Sequence, residues 1–263
     1  MTWTASSTTA TVCCPGVREF VDWLYAEKKE FLFLTNNSAK TQRELQAKLS
    51  RMGLDIDEKQ LLHPVPGHAE FVAHRSRGPG LCHRGSPVLL NALYERGITI
   101  DETDPDYVIV GESRNYTYDS ICRAARCVNN GARLIGTNTD LTAPTEWGQV
   151  PACRALVAPI ELATGKEAYY VGKPNPLMMR TGLNLLGVHS KDTAIIGDRM
   201  DTDIVAGIEC GLDTVLVLSG VTDREGIEHF PYRPRVVLHG VGDIPAAAAQ
   251  DRKDLVLLEN DAG

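Results

Sequence analysis

Apolar positions along the chain switch between two spacings. Val17, Phe20, Val21 and Leu24 recur at helical intervals behind Pro15-Gly16 and predict a helix over 17–28. Phe31-Leu32-Phe33-Leu34 is an unbroken apolar run ending in Thr35-Asn36-Asn37-Ser38, the pattern of a buried strand feeding a helix N-cap. A helix over 41–52 follows, stopped by Gly53. Strands at 106–111 and 133–136 flank a helix over 119–129. Residues 168–171 lead into Gly172-Lys173-Pro174, and helix 177–186, strand 193–196, helix 202–210 and strand 214–218 complete the series. Strands alternating with helices predict an α/β fold with a doubly wound parallel sheet. The stretch after Ile244 is polar and Ala-rich and reads as a frayed tail. Two stretches break the regularity. Residues 2–14 are rich in Thr, Ser and Ala without a useful period. Residues 78–87 (GPGLCHRGSP) sit where the alternation asks for a strand, yet carry no strand pattern.

Composition narrows the function classes. The 263 residues suffice for one large domain or a core with a smaller inserted domain. A formal charge of −7 argues against nucleic acid and anionic membranes as partners. No apolar run reaches the roughly 18 residues of a membrane span, and no signal-peptide pattern opens the chain, so a cytoplasmic protein is expected. The seven cysteines show no CxxC and no metal spacing, which fits reduced thiols.

Three strand-end motifs carry candidate chemistry. Gly197-Asp198-Arg199-Met200-Asp201-Thr202-Asp203 leaves the strand TAII and opens a helix. In an open parallel sheet, ligands bind beyond the strands' carboxyl ends. Asp198 and Asp203 would offer hard oxygen ligands of the kind Mg²⁺ takes together with phosphate. Gly172-Lys173-Pro174-Asn175-Pro176 pins a lysine at a second strand end, where it can neutralise a phosphoryl dianion. Thr35-Asn36, at the tip of FLFL, offers a hydroxyl and following N–H groups to phosphate oxygens. Alone, each has an ordinary alternative: an acid-rich helix start, a solvated lysine and a helix cap.

Together and in this order, the three motifs resemble motifs two, three and four of the haloacid dehalogenase superfamily, most closely its NagD-like phosphatase branch. The matching pieces are FLFLTNNSAKT, DYVIVGESRNYTYD, GARLIGTNTD, YYVGKPNP, AIIGDRMDTDIVAG and GLDTVLVLSGV. The resemblance implies a Mg²⁺-dependent phosphomonoester hydrolase acting on a small phosphorylated metabolite: a nucleotide, sugar or aryl phosphate. It assigns candidate catalytic roles to Thr35, Asn36 and Lys173, and metal binding to Asp198 supported by Asp203. It also implies a core of 1–97 and 171–263 with an inserted α/β cap over 98–170. Asn138 and Asp140 of the cap's TNTD turn become candidates for substrate contact. Homo-oligomer formation is left open.

The family's reaction needs Asp-x-Asp at the end of the first strand, as nucleophile and general acid/base. That strand should lie just before Pro15-Gly16, yet no acid stands among residues 1–17. The genetic code suggests a cause. The last base of a Met or Trp codon followed by the first two of a Thr codon spells an Asp codon. Met1-Thr2 and Trp3-Thr4 therefore encode Asp-x-Asp in a shifted frame. With G/C-rich codons the whole segment becomes DMDGVLYHGNRLLP. A similar shift turns 78–87 into GQAYVIGEA, a core strand. The expectation is two frame-shifted stretches in a phosphatase gene, and a polypeptide that is poorly folded as written. The alternative is an inactive remnant with weak Mg²⁺ or phosphate binding. Cysteine-based phosphatase chemistry needs C-x5-R, which Cys13 and Cys14 miss relative to Arg18. Dinucleotide binding would need GxGxxG, which is absent.

Overall fold

The computed structural model describes residues 15–38, 40–62, 80–101, 103–113, 115–145 and 148–249. The segment expected to carry the first motif lies outside the described residues.

Helix α1 (Val17–Ala26) buries Val17, Phe20, Val21 and Leu24, the stripe that its spacing predicts. Strand β1 (Phe33–Leu34) pairs in parallel with β2 (Leu61–Leu62). Between them, α2 (Gln42–Arg51) starts at a capping box. Thr41 Oγ1 accepts from the Glu44 N–H, and the Glu44 carboxylate accepts from the Thr41 N–H at 2.7 Å, satisfying two donors that the helix start would leave orphaned.

The larger sheet is entirely parallel. Its order is β4 (Thr99–Ile100), β3 (Gly80–Arg84), β5 (Tyr107–Val110), β6 (Arg133–Gly136), β9 (Tyr169–Tyr170). Along β5 the side chains alternate between two buried faces, as parallel sheets require. Tyr107 and Ile109 pack with Leu89 and Leu93 of α3 (Pro87–Glu95). Val108 and Val110 pack with Cys127 and Val128 of α4 (Tyr118–Asn129) and Val157 of α5 (Cys153–Thr164). An antiparallel hairpin, β7 (Thr142–Thr145) with β8 (Gly148–Pro151), leaves the sheet after β6.

Residues 80–84, which carry no strand pattern, nonetheless form β3, hydrogen-bonded between β4 and β5. Pairing on both sides outweighs local propensity there. The strand joins the five-stranded sheet, not the core sheet expected for it. That sheet therefore begins ahead of residue 98, the expected start of the insert.

After β9 come α6 (Pro176–Leu186) and a parallel sheet of β10 (Ala194–Gly197), β11 (Asp213–Val217) and β12 (Val236–Leu238). Helices α7 (Val205–Cys210), α8 (Arg224–Glu228) and α9 (Ile244–Ala249) complete the described chain. The expected fray after Ile244 is instead the helix α9, whose Ile244 packs on the α1 cluster. Cys127 and Cys153 are buried free thiols, as the cysteine pattern suggested.

Among the described residues, β1 pairs only with β2, and β10 only with β11. An apolar cavity of about 520 Å³ lies between these strands. Phe31, Leu34, Ala194 and Ile195 line it, with Trp23 of α1 and Met179 of α6.

Candidate functional site

Three strand ends converge where the sequence places its motifs. After β9 the chain turns through Gly172 into Lys173, whose peptide bond to Pro174 is cis. Lys173 Nζ lies 2.8 Å from Asp203 Oδ1, and the two side chains are only 3% and 0% exposed. The second Asp203 oxygen accepts from the Arg199 N–H at 3.3 Å. A π-helical turn over Met200–Ile204 presents Asp203 here, and such turns recur at functional sites. Gly197 is needed for this approach, because a Cβ there would come within 2.4 Å of the Asp203 carboxyl.

Asp198 stands at the carboxyl end of β10, partly exposed. Its Oδ2 accepts from the Val221 N–H at 2.9 Å, and its carbonyl accepts from the Thr222 N–H at 3.0 Å. Asp201, between the two candidate metal ligands, is engaged elsewhere. Arg199 grips it with two parallel bonds of 3.0 and 2.7 Å. That contact with Asp201 comes first among the effects raising the Arg199 pKa, and burial opposes it.

Thr35 and Asn36 follow β1 and are each 9% exposed. Thr35 Oγ1 accepts from the Asn37 N–H at 3.1 Å, which orients the hydroxyl. The Asn36 side chain clamps the Lys173 peptide at both ends: Oδ1 accepts from the Lys173 N–H at 2.9 Å, and Nδ2 donates to the Lys173 carbonyl at 3.2 Å. Each bond demands the amide orientation that the other requires, so the network fixes it.

The TNTD turn after β6 reaches the same lysine. Thr139 Oγ1 donates to the Lys173 carbonyl at 3.2 Å, and Asn138 Nδ2 donates to the Asn36 carbonyl at 3.0 Å. Asn138 is fully buried and its Oδ1 accepts from the Asp140 N–H, so its amide faces protein, not solvent. Asp140 keeps partial exposure. Burial pushes its carboxyl above the usual range, while Arg199, Lys173 and the Asn36 amide pull it down and Asp201 pushes it up. Glu112, at the end of β5, is raised by burial; its contact with Asn138 lowers it and Asp140 raises it.

The structure thus gathers Thr35, Asn36, Lys173, Asp198, Asp203, Asn138 and Asp140 around the ends of β1, β6, β9 and β10. Sequence reasoning missed Thr139, Arg199 and Glu112. All three lie inside the quoted motifs, but nothing in their spacing shows a hydroxyl aimed at a carbonyl, an arginine locked on Asp201 or a carboxyl buried against Asn138. Among the described residues, no group of three or more His, Cys, Asp and Glu side chains converges as a metal site. None of the helices there is long and apolar enough to cross a membrane.

Two family models match this chain. The haloacid dehalogenase-like hydrolase model covers residues 8–99, and a second HAD-hydrolase-like model covers 170–244. The dihydroxyacetone phosphatase of Corynebacterium glutamicum is 41% identical over 230 residues, 88% of this chain and 84% of that protein. The chain belongs to the haloacid dehalogenase-like hydrolases. Ribonucleotide monophosphatase NagD of Escherichia coli is 38% identical over 233 residues, covering 89% of this chain and 92% of that one. The solved NagD structure superposes with a TM-score of 0.83 at 37% identity, over 90% of this chain and 93% of that one. A p-nitrophenyl phosphatase from Archaeoglobus fulgidus gives 0.83 at 32% identity, over 91% and 94%. These neighbours place the chain in the NagD-like branch, an α/β core with a cap.

Proposed function

We propose that this protein is a phosphomonoester hydrolase whose described half-site binds and charge-balances the phosphoryl group. The observation that carries the reading is the buried Lys173–Asp203 pair beside the Thr35 turn. A buried ion pair is rarely a net gain in stability. Its retention at the carboxyl ends of parallel strands favours a chemical role. In this reading the Thr35 hydroxyl, held by the Asn37 N–H, and the Asn36 N–H bind phosphoryl oxygens. Lys173, held by Asp203, offsets the charge that develops on them.

Asp198 would hold Mg²⁺, with Asp203, whose oxygens already accept from Lys173 and the Arg199 N–H, supporting it. Asp198 is partly exposed and supplies hard oxygens, and Asp203 backs it from the buried side. Mg²⁺ commonly binds through one or two carboxylates plus substrate phosphate and water, which suits this donor set. When bound, it would supply further charge neutralisation at the phosphoryl oxygens. Asp140 is the TNTD residue with access to substrate. In this reading the cap would extend over about residues 80–171, since β3 pairs within the five-stranded sheet and α3 packs on it. The phosphatase relatives suggest a small phosphorylated metabolite as substrate.

The nucleophile is the missing part. No acid stands ahead of Val17 in this chain, and covalent attack on phosphorus by an aspartate therefore belongs to the frame-restored sequence. That absence favours a second reading for the polypeptide as written: a remnant that binds Mg²⁺ or phosphate without turnover. Phosphate release from p-nitrophenyl, sugar and nucleoside monophosphates tests the first reading, using the chain with DMDGVLYHGNRLLP ahead of Gly16. Magnesium-dependent release abolished by EDTA supports it; a folded restored chain inert toward the whole panel refutes it.

A further inference from the structure

The lysine is held by more than its aspartate. Lys173 is flanked by Gly172 and Pro174, and Pro174 has no N–H to donate. Its own peptide N–H and C=O are both engaged by side chains. The N–H goes to Asn36 Oδ1 at 2.9 Å. The carbonyl accepts twice, from Asn36 Nδ2 and from Thr139 Oγ1, both at 3.2 Å. Asn138 closes the circuit by donating to the Asn36 carbonyl at 3.0 Å. The Gly172 N–H donates to the Thr137 carbonyl at 2.9 Å. A Cβ on Gly172 would stand 2.5 Å from that carbonyl oxygen and 2.9 Å from Asn36 Oδ1, so the circuit closes only around glycine.

We propose that Asn36, Asn138 and Thr139 are positioning residues that set the Lys173 backbone, and that the turn after β6 thereby controls where the lysine's charge sits. The inference rests on the charge-balancing role given to Lys173 above. It gives Asn138 a role other than the substrate contact that the resemblance implies, and Asn36 one other than direct catalysis. Asn138 is fully buried, and the Asn36 amide is committed to the Lys173 peptide at both ends. A ring of bonds from three segments fixes a backbone that no regular ladder holds, and leaves the side chain beyond it only a short arc to Asp203.

Two readouts test this, one of them independent of turnover. In the frame-restored chain, hydrogen exchange of the Lys173 amide is followed by NMR with and without Asn36→Ala. The expected result is at least tenfold faster exchange at Lys173, with the β10 and β11 amides unchanged. Unaltered Lys173 exchange overturns the proposal. Exchange that accelerates throughout the β10–β11 sheet also counts against it, because Asn36 would then be supporting the fold at large.

The second arm uses Thr139→Val and Thr139→Ser in the frame-restored chain. Thr139→Val is expected to lower kcat about tenfold with KM little changed, and Thr139→Ser to recover most of it. A rise in KM at constant kcat would make Thr139 a substrate contact and overturn its part. If the restored chain lacks activity altogether, the phosphatase reading fails, while the exchange experiment still decides whether the ring positions Lys173.

Discussion

Two regions of this molecule lie beside one sheet and differ in completeness. Around Lys173 the chain is tight: a buried ion pair, a two-point amide clamp and a glycine with no room for a side chain. Between β1 and β10 lies an apolar cavity of about 520 Å³. Sealed and dry, a void of that size would cost on the order of 10 kcal/mol at about 24 cal/mol per Å³. That rivals the whole stability of an ordinary domain. A stable fold therefore needs the space filled, or opened to water with its apolar lining exposed. The tight region holds the groups to which the proposed reading gives phosphoryl binding and charge balance. The open region lies between β1 and β10, lined by Phe31, Leu34, Ala194 and Ile195.

The largest effect should come from closing that difference. Restoring DMDGVLYHGNRLLP is expected to stabilise the fold by several kcal/mol, with a sharp urea transition and no dye binding to exposed apolar surface. The chain as written should melt broadly and bind the dye. A sharp, cooperative melt of the unrestored chain, at an ordinary mesophilic midpoint, would break the comparison.

Next in size is the ion pair. Lys173→Met leaves Asp203 buried without its partner and should cost about 3–5 kcal/mol in urea unfolding. Adding Asp203→Leu should recover most of the loss. Failure of the double variant to recover would mean that the pair is held for its geometry more than its charge. Gly172→Ala is expected to cost about 1–3 kcal/mol, because the Thr137 carbonyl would have to move.

Glu112 gives the smallest effect. Its carboxyl lies above the ordinary value of 4.5 because burial disfavours the charged form. The unfolded chain therefore ionises first as pH rises, and stability falls from about pH 4.5 up through the folded-state value. Glu112→Gln should remove that decline. Parallel thermal melts of both proteins from pH 4 to 7 check it; an identical slope would place Glu112 in water.

The helices at 17–26, 42–51, 118–129 and 176–186 were legible from apolar spacing, as the α1 stripe illustrates, whereas those at 87–95, 153–164 and 244–249 were not. The strand ends carrying Thr35, Lys173 and Asp198 were legible too, because apolar runs stop abruptly at polar residues. β3 was not legible: its backbone is paired on both sides, and no periodic pattern marks GLCHR as a strand. The circuit around Lys173 was also hidden. Its bonds join residues about 30 to 137 positions apart, often through backbone groups that no side-chain motif encodes.

The most direct measurement is p-nitrophenyl phosphate hydrolysis with Mg²⁺ by two chains side by side: the sequence as written, and the same sequence with DMDGVLYHGNRLLP ahead of Gly16. In the proposed reading the described residues bind the phosphoryl group and balance its charge, and the attacking carboxylate comes from the restored segment. The restored chain should therefore turn over at least about 10³-fold faster, and lose that gain when its first aspartate becomes asparagine. Equal rates for the two chains, or a folded restored chain no faster than the buffer blank, would contradict the account.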